Sequence, residues 1–165
     1  MKTIYLIGFM GSGKSTVGKK LAKNSSKTFI DTDDFIERTH KRKISDIFAV
    51  NGESTFRTYE IDALKQVSTY EIVSTGGGIV EKKDNLNTMK KNGIVFYLHA
   101  SFEEIASRLE NDDTRPLWNN EVEAKIKLYE RRIPLYEQYA DYIIQTNSKT
   151  VGEIVQEIKK NIRSE

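Results

Sequence analysis

The sequence predicts an α/β domain in which helices cover both faces of one parallel β-sheet. Short apolar runs rich in Ile, Val, Phe and Tyr alternate along the chain with longer stretches of helical spacing. These runs are continuously apolar instead of alternating with polar residues, which is typical of strands buried on both faces. The alternation of strand and helix therefore favours a three-layer α/β/α architecture with five parallel strands and right-handed crossovers.

The predicted elements follow from these runs and from local capping signals. The strands are Thr3–Ile7, Thr28–Asp31, Ile72–Thr75, Ile94–Leu98 and Tyr142–Thr146. The helix candidates span 14–24, 34–50, 53–68, 84–91, 101–110, 120–139 and 150–162. Ser101 with Glu104, and Thr150 with Glu153, have the spacing of capping boxes. Pro134 should kink or interrupt its helix because proline lacks a backbone N–H. Ligands of such sheets bind beyond the carboxyl ends of the strands, so site residues are expected there.

Length and composition limit the class of protein. The chain has 165 residues, which predicts one domain over 1–165, and 26 basic against 24 acidic residues give a net charge of +2. This balance argues against a general nucleic-acid binder, and no apolar run approaches the roughly 20 residues of a membrane helix. The chain has no cysteine, which excludes disulfides and thiolate metal sites. We expect a cytoplasmic monomer without nucleic-acid or membrane partners.

The strongest motif runs from Gly8 to Thr16 and matches G-x-x-x-x-G-K-[ST] between a predicted strand and a predicted helix. Its glycines let backbone N–H groups surround phosphate oxygens, Lys14 neutralises phosphate charge, and the Ser15 hydroxyl is suited to Mg²⁺. The predicted phosphate-contacting residues are Gly11, Ser12, Gly13, Lys14, Ser15 and Thr16. The Asn-Lys-x-Asp run of small GTPases is absent, which favours a small-molecule kinase.

Two carboxylates follow the second predicted strand. Asp31 is placed to bind Mg²⁺ directly or through water, and Asp33 to orient an acceptor hydroxyl or accept its proton. The same residues also suit a helix N-cap and an acidic first helical turn. The capping role and the catalytic role are compatible with each other.

Four further segments are each weak alone. Phe56, Arg57 and Glu60 share one helix face, and Gly76–Gly78 allow a ligand close to the backbone. Arg132 belongs to a helix that also contains a proline. The polar, turn-rich stretch over about 110–120 is too long for a tight connection and is typical of a mobile lid.

Together these motifs resemble the shikimate kinase family in order and approximate spacing, from residue 8 to about 147. The motifs that carry the resemblance are Gly8–Thr16, Asp31-Thr-Asp33, Gly52-Glu with Phe56-Arg57 and Glu60, Gly76–Gly78, Arg115-Pro-Leu117 and Arg132-x-Pro-Leu-Tyr136. The resemblance implies a nucleoside monophosphate kinase-like P-loop fold with sheet order 2-3-1-4-5. It also implies ATP- and Mg²⁺-dependent phosphorylation of the 3-hydroxyl of shikimate, giving shikimate 3-phosphate and ADP on the route to chorismate and the aromatic amino acids.

The resemblance assigns roles residue by residue. It implies a shikimate-binding subregion over about 32–62 and a lid arginine, Arg115, that reaches the transferring phosphate. It implies adenine-side contacts from Arg108 and Lys149, where Ser148 and Val151 depart from the arginine and proline of some relatives. The implied catalytic residues are Lys14, Asp33 and Arg115. The implied acceptor-binding residues are Asp33, Phe56, Arg57, Gly76, Gly77, Gly78 and Arg132.

Two alternatives remain open at this point. One is another small-acceptor P-loop kinase, such as a gluconate or nucleoside monophosphate kinase. Arg57, Arg132 and Asp33 favour a hydroxylated acid, since a phosphate-bearing acceptor calls for more basic residues. The other is a nucleotide-dependent switch or binding protein, which would bind ATP without acceptor-dependent release of ADP.

Overall fold

The computed structural model describes residues 2–110 and 122–163. In this part of the chain, five parallel strands form one sheet in the order β2-β3-β1-β4-β5. They are β1 (Thr3–Ile7), β2 (Phe29–Asp31), β3 (Ile72–Ser74), β4 (Gly93–His99) and β5 (Tyr142–Gln145). The central strand β1 pairs with both β3 and β4, so that Tyr5 lies between Val73 and Val95. The predicted fold class and strand order are confirmed.

Helices cover both faces of this sheet. They are α1 (Lys14–Ser25), α2 (Thr32–His40), α3 (Ile44–Gln66), α4 (Lys83–Asn92), α5 (Phe102–Glu110), α6 (Val122–Tyr139) and α7 (Val151–Arg163). Two short 3₁₀ segments, Val67–Thr69 and Gly77–Glu81, frame β3 in the chain. Each predicted strand is found to within about a residue at its ends, the ordinary uncertainty of element boundaries.

Alternation along β1 divides the core into two layers. Ile4 and Leu6 pack against α1 and α7, while Tyr5 and Ile7 pack in the layer that contains side chains of α3, α4, α5 and α6. All four side chains are 5% exposed or less. Because successive side chains of a strand point to opposite faces, one continuous apolar run supplies both layers.

The prediction of one helix over 34–50 is wrong. The Asp31 side chain caps the backbone N–H groups of Asp33 and Asp34, so α2 begins at Thr32. Lys41, with φ of 51°, then ends α2 in a left-handed conformation. The next helix begins at Ile44 and runs across Gly52, where φ of 80° and ψ of 170° produce a kink instead of the predicted boundary.

One of the two predicted capping boxes is complete. Thr150 N donates to Glu153 Oε2 at 2.7 Å, and Glu153 N donates to Thr150 Oγ1 at 3.2 Å. In the other, Glu104 N donates to Ser101 Oγ at 3.2 Å, but the backbone N–H of Ser101 donates to Asn147 Oδ1 at 3.0 Å. The first turn of α5 is therefore tied to the loop after β5, a tertiary contact that the local pattern does not contain.

Helix α6 continues through Pro134, so the predicted interruption does not occur. Arg132 and Tyr136, on either side of Pro134, are 6% and 0% exposed. Packing of this face against the core offsets the backbone hydrogen bond that proline cannot donate. No described helix is both long and apolar enough to span a membrane.

Candidate active site

The loop between β1 and α1 is shaped to receive an anion. Gly13 is the N-cap of α1 with φ of 92°, and it supplies no side chain to cap the first turn of the helix. The first N–H groups of a helix and its dipole favour negative charge at this end. The Oγ of Ser12 is buried and has no hydrogen-bond partner among the described residues. The loop therefore has the donors that a phosphate group requires.

Lys14 lies under this loop at 9% exposure. Its ammonium group donates to the carbonyl oxygens of Gly8, at 2.8 Å, and of Phe9, at 3.0 Å. These contacts hold the positive charge against the loop that the motif predicts for phosphate. The carbonyls compensate the burial of a charged group, which would otherwise be costly.

Ser15 and Asp31 meet at the carboxyl ends of β1 and β2. The Ser15 hydroxyl donates to Asp31 Oδ2 and lies 3.3 Å from the hydroxyl oxygen of Ser74. The other oxygen of Asp31 accepts from Asp33 N at 2.9 Å as the N-cap of α2. One carboxylate oxygen of Asp31 therefore accepts from Ser15, and the other caps α2. The side-chain oxygen atoms of Ser15, Asp31 and Ser74 suit a hard cation such as Mg²⁺.

A cavity of about 430 Å³ lies over the phosphate loop. Its lining contains Met10, Gly11, Gly13, Lys14, Ser15, Thr16, Asp31, Asp33, Asp34, Thr75, Gly76, Gly77, Arg108 and Leu109. Arg108 closes one side, because its guanidinium donates to Gly11 O at 3.3 Å and to Thr146 O at 3.4 Å. This arginine connects the phosphate loop with the end of β5.

Lys149 lies beyond β5 in a turn that contains Ser148 at φ of 58°. The Lys149 ammonium is paired with Glu157 of α7 at 2.6 Å, and Lys149 does not line the phosphate cavity. Its predicted adenine contact stays a prediction. Arg115 and the rest of the predicted lid over 111–120 lie outside the described residues.

A second cavity of about 440 Å³ adjoins the first. It is lined by Met10, Asp33, Ile44, Phe48, Glu53, Phe56, Arg57, Glu60, Gly76, Gly77, Gly78, Leu128, Arg131 and Arg132. All seven residues that the sequence assigns to the acceptor are among them. Met10, Asp33, Gly76 and Gly77 line both cavities, so the two share a wall at the carboxyl end of the sheet.

Arg57 enters the second cavity from α3 as part of a buried ion pair. Its Nη1 lies 2.5 Å from Glu60 Oε2 and its Nη2 3.1 Å from Glu53 Oε1, with the side chains of Arg57 and Glu60 8% and 0% exposed. Burial acts to lower the pKa of Arg57, but the Glu60 carboxylate outweighs it and raises that pKa above its ordinary value. Burial raises the pKa of Glu60, against the opposing effect of Arg57.

The three glycines after β3 give these side chains room. A Cβ at Gly78 would lie 2.2 Å from Arg57 Nη1, which is too close for any side chain. A Cβ at Gly76 would lie 2.7 Å from Asp33 Oδ1 and 3.0 Å from Glu60 Oε1. The glycines therefore admit the arginine and the carboxylates that line the cavity.

Arg132 enters the cavity from α6 and is held by a carboxylate that the sequence analysis did not identify. Its Nε donates to Glu81 Oε1 at 2.8 Å, and its guanidinium carbon lies 6.0 Å from the centre of the Phe9 ring. Arg131 donates twice to Glu81, each time at 2.8 Å. No local signal marks Glu81, because its partners lie 50 and 51 residues away in the sequence.

Comparison with known proteins identifies the family to which this architecture belongs. A family model described as shikimate kinase matches residues 10–163. The chain is 43% identical over 164 residues to a shikimate kinase of Bacillus cereus, with 98% of this chain and 99% of the relative covered. The chain belongs to the shikimate kinase family. It is also 45% identical over 166 residues to the Bacillus cytotoxicus shikimate kinase, covering 99% and 100% of the two chains.

A solved structure of a shikimate kinase extends this match to three dimensions. The enzyme from Acinetobacter baumannii, in complex with shikimate, superposes with a TM-score of 0.91 at 36% identity. The match covers 99% of this chain and 94% of the other. Family membership confirms the predicted class, an ATP-dependent kinase with an alcohol group as acceptor, over the nucleotide switch.

Proposed function

We propose that this protein transfers the γ-phosphoryl group of ATP to the 3-hydroxyl of shikimate, giving shikimate 3-phosphate and ADP for chorismate and aromatic amino acid biosynthesis. The observation that carries the proposal is the pair of adjoining cavities, one over a phosphate loop and one containing two buried arginines. Shikimate is a small ring acid that bears hydroxyl groups. It therefore matches a cavity that is lined by two arginines and by the carboxylate of Asp33 at the wall shared with the phosphate cavity.

Arg57 and Arg132 are assigned to the carboxylate of the acceptor. They are 7% and 6% exposed, and they reach the cavity from different helices, α3 and α6. A planar guanidinium donates two parallel hydrogen bonds to a carboxylate, and two such groups compensate the desolvation of one anion. We assign Phe56 and the backbone of Gly76, Gly77 and Gly78 to the walls beside the ring.

Asp33 is assigned to the reacting hydroxyl because it lines both cavities. From this position it orients the hydroxyl for in-line attack on the γ-phosphorus and accepts its proton. Lys14 and Arg115 are assigned to the negative charge of the transferring group. Electrostatic stabilisation and positioning supply most of the catalysis in phosphoryl transfer, so both cations act mainly on kcat.

Ser15 and Asp31 would hold Mg²⁺, since their side-chain oxygens meet at the base of the phosphate cavity. Mg²⁺ held by these two residues would supply positive charge against the phosphate groups of ATP. The remaining nucleotide contacts are assigned to Gly11, Ser12, Gly13, Thr16, Arg108 and Lys149.

We further propose that residues 1–165 form one kinase domain, with an acceptor-binding subregion over about 32–62 and a lid over about 110–120. We propose that this domain acts in the cytoplasm as a monomer. Closure of the lid would bring Arg115 to the phosphate and exclude water, which otherwise competes with the acceptor.

A coupled assay of ADP release tests the proposed function. ATP and Mg²⁺ are combined with shikimate, gluconate, AMP or no acceptor. We expect turnover only with shikimate, and phosphorus NMR of the product should show a phosphate ester on the ring. Turnover with gluconate or AMP alone would contradict the assignment, and equal ADP release without acceptor would indicate an ATPase.

A further inference from the structure

We propose that Glu81 is a positioning residue that holds Arg132 in the orientation required for the acceptor carboxylate, an inference that rests on the proposed function. Glu81 is the last residue of the 3₁₀ segment that begins at Gly77. Its side chain is 15% exposed, and it belongs to none of the motifs on which the family resemblance depends. The assignment comes from its contacts.

One carboxylate holds two successive arginines of α6. Glu81 Oε1 accepts from Arg132 Nε and from Arg131 Nη2, and Oε2 accepts from Arg131 Nη1, each at 2.8 Å. The side chain of Arg131 is 57% exposed, while that of Arg132 is 7% exposed. The outer arginine therefore lies at the surface and the inner one in the cavity, with the same carboxylate between them.

The hydrogen bond at Nε determines the direction in which the two Nη atoms of Arg132, the proposed carboxylate-binding groups, point. A guanidinium is planar, so a hydrogen bond at Nε, combined with the Phe9 ring 6.0 Å from its carbon atom, limits rotation of the whole group. Both Nη atoms then lie at the end of the guanidinium opposite to Nε. A Cβ at Gly77 would be 3.5 Å from Arg132 Nη1, which places this edge beside the wall shared by the two cavities.

Arg131 keeps Glu81 from cancelling the charge of Arg132. Burial acts to raise the pKa of Glu81, but hydrogen bonds from Arg131 and Arg132 outweigh it and lower that pKa, so the carboxylate is ionised at neutral pH. The bidentate ion pair with Arg131 takes up this negative charge at the surface. The three groups together carry one net positive charge for the acceptor.

The test compares Glu81→Gln and Glu81→Ala with the wild-type chain in steady-state assays. We expect the KM for shikimate to rise about tenfold in Glu81→Ala, with kcat and the KM for ATP within about twofold of wild type. Glu81→Gln should give a smaller rise, because its amide oxygen still accepts from Arg132 Nε. The matched control is Glu71→Gln, which breaks an ion pair with Lys27 at the opposite end of the sheet and should change neither KM.

Shikimate methyl ester separates positioning from a general structural role. The ester has no carboxylate charge, so the ratio of wild-type to variant kcat/KM should fall toward one with the ester and stay near ten with the acid. An equal ratio for both compounds, an unchanged KM in both variants, or a lower KM would overturn the inference. Absence of shikimate turnover in the wild-type chain would overturn the proposed function itself, and the inference with it.

Discussion

The cavity over the phosphate loop and the second cavity adjoin each other but are built by different means. We propose the first for the nucleotide and the second for the acceptor, and we call them the nucleotide cavity and the acceptor cavity. The nucleotide cavity takes more of its lining from the continuous segment Gly8–Thr16 than from any other, and this segment offers backbone groups and a helix N-terminus. The acceptor cavity is lined by side chains from α2, α3 and α6 and by the backbone of the glycine segment after β3. Its two buried arginines are each held by glutamates, Arg57 by Glu60 and Glu53, and Arg132 by Glu81.

We therefore expect substitutions in the two cavities to have different effects. A binding surface made of backbone is damaged by strain, and its loss affects ATP. A surface made of buried ion pairs is damaged by removing one partner, which leaves the other charge buried without compensation. Stability and acceptor recognition are therefore coupled in one cavity far more closely than stability and nucleotide recognition are in the other.

The largest effect is expected at Arg57. Arg57→Met should lower the free energy of unfolding by about 3–5 kcal/mol, because it leaves the fully buried Glu60 without its partner. The double variant Arg57→Met with Glu60→Gln should recover part of that stability, since the buried Glu60 charge is removed together with its partner, but not the affinity for shikimate. Urea denaturation and acceptor titration measure the two quantities separately. Recovery of acceptor affinity in the double variant would contradict the role of Arg57.

Substitution of Lys14 tests the nucleotide cavity. Lys14→Met should lower kcat by about 10²–10³-fold through the loss of charge stabilisation at the transferring phosphate. The affinity for shikimate, measured by titration without nucleotide, should stay close to wild type. Lys20→Met, an exposed position on the same helix, is the control and should have normal kinetics. A similar loss in both variants would mean that the effect is not local to the phosphate loop.

One glycine substitution in each cavity compares the two cavities directly. Each substitution should destabilise the fold by about 1–3 kcal/mol. Gly13→Ala places a Cβ where no atom lies within 4 Å, so its cost is strain at φ of 92°, and it should raise the KM for ATP. Gly78→Ala places a Cβ 2.2 Å from Arg57 Nη1, so it displaces the arginine and should raise the KM for shikimate. If both variants raise the KM for the same substrate, the proposed difference between the two cavities is contradicted.

The smallest effect is a difference in the pH dependence of stability between two glutamates. Burial raises the pKa of Glu60 above its ordinary value, so its contribution is present at low pH and is lost as the pH rises through the raised pKa. Burial acts to raise the pKa of Glu81, but hydrogen bonds from Arg131 and Arg132 outweigh it and lower that pKa, so its contribution is present at neutral pH and is lost as the pH falls through the lowered pKa.

Unfolding curves from pH 3 to 8 measure this difference. Relative to wild type, Glu60→Gln should gain stability as the pH rises, whereas the deficit of Glu81→Gln should shrink as the pH falls. The same sign of pH dependence for both variants would contradict the opposite pKa shifts of the two carboxylates.

The parts of the molecule that the sequence predicts are those determined by local or repeated patterns. The five strands follow from continuous apolar runs, and the phosphate loop follows from one contiguous motif. The Thr150–Glu153 capping box involves residues three apart, and it forms as expected. The strand order came from family resemblance, since runs of Ile and Val contain no signal for which strands are neighbours.

The parts that the sequence did not predict depend on contacts between distant residues. The boundary between α2 and α3 depends on the left-handed backbone conformation of Lys41. Lysine rarely adopts this conformation, and no turn motif in the sequence predicts it here. The role of Glu81 depends on the approach of α6 to the segment after β3. The residues proposed to bind the acceptor lie on several distant elements, and in the sequence only the family resemblance relates them to one another.

The shared wall at Gly76 and Gly77 has a consequence for inhibitor design. A compound confined to the phosphate loop would meet a surface common to many ATP-binding enzymes, and one confined to the acceptor cavity would need an anionic group that crosses membranes poorly. A single molecule joining a carboxylate to a phosphate mimic with a short linker would occupy both cavities. Its second contact would form at high effective concentration, so two modest affinities would combine into a strong and selective one.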